Sequence, residues 1–259
     1  MLDDIFGLSG KVGLVTGAGR GLGRTAAIGF AEAGADVALL SRSRGELEET
    51  AQAIRKLGRR ALVVPADLSE IEALPAVVDT VIREFGHLDI LVNNAAAIVR
   101  DRVTDVKWKD YDFQMDVNAK ATFALSKAAV PHMIARGSGK IINVTACAAE
   151  IGFAMFPVYA MSKAAISLFT KSLAMDLARQ GHDIQANCIG PGAFTTHMNA
   201  VEGAADSSFD REVLAHVPMN RKARPEELKG TFIYLASKAS SYLTGQDIYV
   251  DGGWLGSGV

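Results

Sequence analysis

Two residues of the segment YAMSK, Tyr159 and Lys163, have the side chains and the spacing of an acid/base pair. Residues four apart lie on one face of a helix. A tyrosine keeps its proton up to about pH 10, and a neighbouring ammonium lowers the pKa of the phenol because it favours the phenolate. Such a pair suits proton transfer to or from a reacting oxygen. By itself the spacing is more typical of an exposed surface pair, so the chemistry depends on partners elsewhere in the chain.

A glycine-rich segment, TGAGRGLG at residues 16–23, is the first such partner. It lies between an apolar β-branched run and an alanine-rich helical run, and this strand, turn and helix order is typical of a dinucleotide site. Glycine lets the backbone adopt positive φ and approach a ligand closely, and the following helix N-terminus offers free N–H groups to a pyrophosphate. We therefore expect cofactor contacts from Gly17, Gly19, Arg20, Gly21, Leu22 and Gly23.

The end of the second predicted strand indicates which dinucleotide is bound. An acid there would accept hydrogen bonds from both ribose hydroxyls and repel a 2′-phosphate. This chain instead has Ser41 and Arg42, with Arg44 beyond, and Arg20 could add a further charge. Because a guanidinium pairs with phosphate through two hydrogen bonds, the sequence predicts NADP(H) as the preferred cofactor. NAD(H) stays possible if Arg42 is only a solvated surface residue.

Strand-like apolar runs alternate with helix-like segments along the chain, and these elements must position the residues above. Strands are predicted at 11–17, 36–42, 60–68, 88–95, 139–146, 184–192 and 245–253, and helices at 24–34, 45–58, 71–86, 158–181 and 225–237, with one or two further helices over 105–135. This alternation specifies βαβ units and a parallel sheet. We predict an α/β fold with one Rossmann-type doubly wound sheet of about seven strands, a single domain over 1–259, and a substrate loop or lid at about 193–217.

Composition argues against several other classes of protein. The 259 residues carry a net charge of −2 with scattered Lys and Arg, which gives no indication of nucleic-acid binding. The start of the chain is acidic and no run of about 18 apolar residues occurs, so neither a secretory signal nor a membrane span is predicted. The two cysteines cannot form a disulfide framework. We expect a soluble, cytoplasmic protein with a small-molecule substrate and no metal.

Several separated motifs, in order, resemble the classical short-chain dehydrogenase/reductase family over nearly the whole chain. They are Thr16, Gly17, Gly21 and Gly23 in the glycine turn; Asp67 and Leu68 after the third strand; Asn93, Asn94, Ala95 and Ala96 in place of the family's NNAG; Asn118; Tyr159 with Lys163; Pro191, Gly192, Phe194 and Thr196 in the PGxxxT segment; and the closing LTGQDIYVDGG. The resemblance implies that residues of these segments bind a nicotinamide dinucleotide. It implies hydride transfer between the nicotinamide and a carbonyl or alcohol.

The resemblance also implies a role for each residue of the acid/base group. Tyr159 would be the general acid/base, Lys163 would bind the nicotinamide ribose and lower the pKa of the tyrosine, and Asn118 would help to hold a water that relays protons to the lysine. The family's further catalytic serine, thirteen residues before the tyrosine, falls on Ala146. An alanine cannot donate a hydrogen bond to the substrate oxygen, so a catalytically weakened enzyme is expected.

Three explanations of Ala146 stay open. The chain could carry an introduced Ser→Ala change, or it could use another donor such as Thr145, Cys147 or a lid residue. It could also be a regulatory protein that binds a dinucleotide without turnover. Thr145 and Cys147 flank Ala146, and neighbouring strand residues point to opposite faces. Neither can therefore replace a serine at position 146 unless the backbone bends there.

The substrate and the assembly are the least determined by sequence. Candidate pocket walls follow Ala96 and cover 146–155 and 194–216, with Arg100 and His197 as possible polar anchors. The N-terminal stretch is most similar to members acting on sugar acids, of the gluconate 5-dehydrogenase type, while ketone, steroid and ketoacyl reductases stay open. Members of the family commonly form tetramers, so a homotetramer is expected.

Overall fold

Seven strands form one parallel sheet in the computed structural model, which describes residues 2–196 and 208–257. The strands are β1 Val12–Thr16, β2 Asp36–Ser41, β3 Ala61–Pro65, β4 Ile90–Asn93, β5 Gly139–Val144, β6 Ile184–Pro191 and β7 Asp247–Val250. Their order is β3-β2-β1-β4-β5-β6-β7, and every pairing is parallel. The predicted fold class and strand count are confirmed.

Helices connect the strands as expected of βαβ units. They are α1 Leu2–Phe6, α2 Gly21–Glu32, α3 Arg44–Lys56, α4 Leu74–Phe85, α5 Trp108–Met115, α6 Ala121–Arg136, α7 Pro157–Arg179, α8 Ser208–Ala215 and α9 Lys229–Ala236. Helices α4 and α6 end at Gly86 and Gly137, whose φ values of 88° and 86° lie in the left-handed region that a glycine adopts without steric cost. No helix in the described ranges is both long and apolar enough to span a bilayer.

Three segments differ from the expectation. The short helix α1 was not predicted, because five residues carry too little periodicity to show a helix. Helix α2 begins at Gly21, inside the glycine turn, rather than at residue 24. The predicted lid at 193–217 contains α8, while its residues 197–207, His197 among them, lie outside the described residues.

The core consists of two apolar layers, one on each side of the sheet. Alternate strand residues supply them: Val15 and Leu39 belong to one layer, and Leu14 and Leu40 to the other. Both faces of β1 are fully buried, which explains why its sequence is a continuous apolar run. Because all strands are parallel, their carboxyl ends meet at one edge, with a crevice where the connections diverge between β1 and β4.

Candidate functional site

One cavity of about 740 Å³ lies over the carboxyl ends of the strands. Most of the predicted site residues line it: Gly17, Gly19, Arg20, Gly21, Leu22, Ser41, Arg42, Asp67, Leu68, Asn94, Ala95, Ala96, Ala146, Tyr159, Lys163, Pro191, Gly192, Phe194 and Thr196. Gly23 and Asn118 do not line it. The fold thus brings together segments almost 180 residues apart in the sequence, and it places Gly23 and Asn118 behind the cavity wall.

The glycine turn after β1 is shaped by contacts with the end of β4. The Thr16 hydroxyl accepts hydrogen bonds from the backbone N–H groups of Asn94 (2.9 Å) and Ala95 (3.0 Å), and the Asn94 amide donates to the Thr16 carbonyl at 2.9 Å. Gly17 has a φ of 65°. A Cβ at Gly23 would collide with the Gly17 carbonyl and the Asn94 amide, so this glycine is required for close packing of the turn.

The turn and the first turn of α2 suit an anionic ligand. Helix α2 starts at Gly21, and no side chain caps its N-terminus, since Arg20 makes no capping hydrogen bond. The first N–H groups of a helix have no partner within it and attract a phosphate. Gly19 and Gly21 face the cavity without side chains, so the backbone is accessible to a pyrophosphate here.

The ends of β2 and β3 add the polar groups expected around an adenosine. Arg42 lies beside Asp67, with Nη1 3.9 Å from Oδ2, and hydrogen bonds from Ser69 keep the pKa of Asp67 lowered. The Ser41 hydroxyl is buried and has no hydrogen-bond partner within the described chain. A buried polar atom of this kind is usually paired, so Ser41 fits a position that a ligand atom completes. Arg20, in contrast, is paired with Glu46 at 3.3 Å.

Lys163 is buried beneath the cavity, on α7. Its ammonium donates a hydrogen bond to the Val144 carbonyl at the end of β5, at 2.7 Å. Burial disfavours the charged form and lowers the pKa of Lys163 to about 8. The ammonium lies 5.6 Å from the centroid of the Tyr159 ring, so the predicted i,i+4 pair is adjacent in space.

Burial raises the pKa of Tyr159, and the neighbouring Cys147 adds to the effect. The expected lowering of this pKa by Lys163 beside a bound nicotinamide stays a prediction, and in the protein by itself the net shift is upward. The reason is that removal of a phenolate from water outweighs a lysine whose own charged form is disfavoured and whose ammonium is held by Val144. The phenol therefore stays protonated near neutral pH in the protein alone.

Asn118 lies in a π-helical turn, Asp116–Lys120, between α5 and α6. Such turns are often found at functional sites. Its side chain is fully buried: Oδ1 accepts from the Ala97 N–H at 2.7 Å, and Nδ2 donates to the Ala97 carbonyl and the Ser162 hydroxyl, both at 2.9 Å. Ser162 in turn donates to the Tyr159 carbonyl at 2.7 Å. Asn118 thus connects the loop after β4 to the helix that carries the acid/base pair.

Ala146 lines the cavity just after β5, at the position where a serine was expected. The backbone does bend there, since Cys147 begins a 3-10 turn, Cys147–Ala149, and both flanking residues also line the cavity. Yet the Thr145 hydroxyl donates to the Ile189 carbonyl at 3.1 Å, and the Cys147 thiol to the Pro191 carbonyl at 3.8 Å. Burial raises the pKa of Cys147 to about 12. Both flanking donors are therefore already paired with backbone.

Several cavity residues were missed by the sequence reasoning. Phe113, Val117, Lys222 and Trp254 line the cavity, whereas Ile98 belongs to the wall expected after Ala96. Trp254 follows β7 by four residues, and its place after a strand end was a usable signal, because ligands bind at the carboxyl edge of such sheets. The Arg100 guanidinium, a predicted polar anchor, lies 5.9 Å from the Phe156 ring centroid.

Comparisons with known proteins agree with this geometry. A family model described as "Enoyl-(Acyl carrier protein) reductase" matches residues 17–255. The 2-dehydro-3-deoxy-D-gluconate 5-dehydrogenase of Escherichia coli K12 is 41% identical over 98% of this chain and 99% of that protein. A short-chain type dehydrogenase/reductase from Mycobacterium marinum has a TM-score of 0.92 at 34% identity, covering 98% of this chain and 99% of its own.

A gluconate 5-dehydrogenase from Burkholderia cenocepacia J2315, solved with NADP and tartrate, also has a TM-score of 0.92. It is 36% identical to this chain, and the match covers 99% of both chains. The similarity therefore extends over the cavity and over every strand end that lines it.

The lowered pKa of Lys163 predicts a pH-dependent stability cost. In the folded protein the pKa of Lys163 is about 8, below the ordinary 10.5, so folding disfavours the ammonium. The resulting loss in the free energy of unfolding is complete below pH 8 and absent above pH 10.5. Lys163→Met should therefore be more stable than the parent at pH 7, by up to about 3 kcal/mol. Urea unfolding at pH 7 to 10.5 measures the difference, which should shrink as the pH rises.

Lys127→Met, at an exposed lysine of α6, is the control. A difference independent of pH would contradict the buried charge.

Proposed function

The chain belongs to the short-chain dehydrogenase/reductase family of oxidoreductases, and on that premise we propose that it interconverts a carbonyl compound and a secondary alcohol with NADP(H), using Tyr159 as the general acid/base. The observation that carries the proposal is the convergence of Tyr159 and Lys163 with the glycine turn on one cavity. When bound, the nicotinamide would donate or accept the hydride. The residues of the chain would bind the dinucleotide, orient it and move the proton.

Tyr159 would give its proton to the carbonyl oxygen in the reducing direction. Its pKa is raised by burial, so the phenol is in the protonated form that reduction requires near neutral pH. Lys163, with a pKa of about 8, can gain or lose a proton in the same range. It would hold the nicotinamide ribose and assist return of a proton to the tyrosine. Asn118 would act as a positioning residue, because its hydrogen bonds reach the backbone around Ala97 and, through Ser162, Tyr159.

NADP(H) is preferred over NAD(H) in this proposal because of the residues after β2. Arg42 is largely exposed, and its distance of 3.9 Å to Asp67 makes a weak surface pair. It is therefore available to a 2′-phosphate. The Burkholderia cenocepacia relative was solved with NADP, which supports the same choice. Arg20 contributes less than expected, since Glu46 already pairs with it.

A second candidate, a dinucleotide-binding regulator without turnover, is favoured by one observation. Ala146 supplies no hydrogen bond, and the neighbouring Thr145 and Cys147 donate to backbone carbonyls. The retained acid/base pair argues against it, because a binding protein has no use for a proton donor beside the cavity.

We also expect a homotetramer and a cytoplasmic location; both cysteines are free and buried, as suits a reducing compartment.

Arg42→Ala should weaken NADPH binding by at least tenfold and leave NADH binding within about twofold, because it removes a charge-assisted pair with the 2′-phosphate. Fluorescence titration of both cofactors measures this. Arg83→Ala, at an exposed arginine that contacts Thr80, is the control and should change neither affinity. A parent protein that binds NADH tenfold more tightly than NADPH would refute the assignment.

Ala146→Ser should raise kcat by roughly 100- to 1000-fold, the effect of one added donor to a developing oxyanion. Adding Tyr159→Phe to that variant should abolish the gain and leave cofactor affinity unchanged. Steady-state kinetics with NADPH test both changes. Equal rates for Ala146→Ser with and without Tyr159→Phe would refute the acid/base role of Tyr159. Tight cofactor binding without turnover in both variants would favour the dinucleotide-binding regulator.

The exposed apolar side chains of α6 and α7 predict self-association. Phe123, Met161 and Leu168 are 51%, 43% and 68% exposed, and a patch of this kind marks an interaction surface. Sedimentation velocity at micromolar concentration should show a tetramer, and Leu168→Glu should dissociate it. Leu57→Glu, at another exposed leucine, is the control. A monomeric parent would contradict the assembly.

A further inference from the structure

The cavity has two halves of different chemistry. The cofactor half is lined by residues that follow β1, β2 and β3, among them Arg20, Arg42, Glu46 and Asp67. The substrate half, which we define by the lining residues that follow β4 to β7, is dominated by apolar side chains. These include Ile98, Phe113, Val117, Phe153, Phe156 and Trp254.

The apolar wall of the substrate half is a packed cluster built around one tryptophan. Trp254 is 6% exposed, and its ring meets Phe153 edge to face at a centroid distance of 5.1 Å. His216 stacks on Trp254 at 6.2 Å with an interplanar angle of 4°. Trp254 also packs in a small buried cluster with Cys147 and Val217, and these contacts help to hold its ring in the wall.

Within residues 2–196 and 208–257, few polar side chains of this half could bind a hydroxylated substrate. Lys163 donates one hydrogen bond to the Val144 carbonyl and is assigned above to the nicotinamide ribose, and the Thr145 hydroxyl donates to the Ile189 carbonyl. Among the described residues, Lys222 is the other cation on this side of the cavity. Arg100 lies over the Phe156 ring and is not part of the lining.

Ala146 extends the apolar surface to the reacting position. Ala146 has a methyl group where a hydroxyl was expected, so the O–H groups that the described lining of this half offers are those of Thr145, Tyr159 and Thr196, and that of Thr145 donates to the Ile189 carbonyl. A polyhydroxy acid would bury several hydroxyl groups with few partners, which disfavours binding. An apolar ring or alkyl group would exchange water for hydrocarbon contact, which favours it.

We propose that the substrate half accepts ketones and secondary alcohols whose non-reacting part is an apolar ring or alkyl chain, in preference to the sugar acids named for the relatives. The proposal rests on the carbonyl chemistry proposed above. It assigns Phe153 and Trp254 as determinants of specificity, which bind the apolar part of the substrate and leave its carbonyl oxygen to Tyr159.

The test compares 4-methyl-, 4-ethyl- and 4-propylcyclohexanone with 5-keto-D-gluconate, using NADPH with the parent and with Ala146→Ser. The value of kcat/KM should rise about fourfold for each added methylene group that is buried. It should be at least 100-fold lower for 5-keto-D-gluconate than for the propyl ketone. A flat ketone series or a preference for the sugar acid would overturn the proposal.

Three variants sharpen the comparison. Trp254→Ala should lower kcat/KM for the propyl ketone at least tenfold while NADPH affinity stays within twofold, and Trp108→Ala, at a tryptophan 79% exposed, should change neither. Lys222→Met removes a cation of this half of the cavity and tests whether that cation binds a substrate carboxylate. A rise in KM for 5-keto-D-gluconate in Lys222→Met, together with efficient turnover of that acid by the parent, would identify Lys222 as a carboxylate anchor and refute the apolar assignment.

Direct binding separates this proposal from the proposed function and does not depend on the folding of Trp254→Ala. In Trp108→Phe, Trp254 is the remaining tryptophan of the chain and reports on the cavity by its fluorescence. The titrations are done with NADP⁺ present, so that the ketone is not reduced. The Kd from the change in Trp254 emission should be at least tenfold lower for the propyl ketone than for 5-keto-D-gluconate. Ketone binding without turnover in any form would refute the oxidoreductase and support the apolar site. No ketone response, or a tighter sugar-acid response, would refute the apolar site.

Discussion

The cavity is organised around a lysine ammonium buried at the carboxyl end of the central sheet. Lys163 reaches the Val144 carbonyl at 2.7 Å, and the fold holds this charge although burial lowers its pKa to about 8. A buried charge that lowers the free energy of unfolding is kept in place only where several surrounding contacts fix its position. Here β5 is paired with β4 up to Asn143 and with β6 up to Val144, so neighbouring strands hold the strand end that carries the Val144 carbonyl. Helix α7 then places Tyr159 one turn before that fixed point.

The second constraint is the connection between the loop after β4 and helix α7. Asn118 sits in a π-helical turn, which adds one residue to the helix and aims the side chain into the protein. Both hydrogen-bonding ends of its amide are used, on Ala97 and on Ser162. This arrangement ties the cavity wall from β4 to the helix with the acid/base pair. The placement of Tyr159 and Lys163 therefore depends on the ends of β4 and β5 as well as on helix α7.

The chain is similar over its whole length to proteins named as sugar-acid dehydrogenases, and yet one half of its cavity has an apolar wall. The different chemistry of the two halves of the cavity accounts for this combination. Identity of 41% over 256 residues shows a shared scaffold, and a shared fold does not fix the substrate. Substrate contacts come from a few side chains after the strand ends, which vary independently of the fold. Ala146 and Trp254 both lie after strand ends, and both add apolar surface to the lining of the cavity.

The sequence by itself determined the elements and the cofactor turn. Apolar runs of strand length, a strand–glycine turn–helix order and an i,i+4 pair are local patterns, and each follows from backbone geometry within a few residues. Only the tertiary structure decided what surrounds the acid/base pair. The raised pKa of Tyr159 comes from burial by distant segments, the pairing of Arg20 with Glu46 joins the residue before α2 to α3, and Trp254 lines the cavity from near the other end of the chain. These features depend on contacts between residues far apart in sequence, and no local pattern records the distance between their side chains.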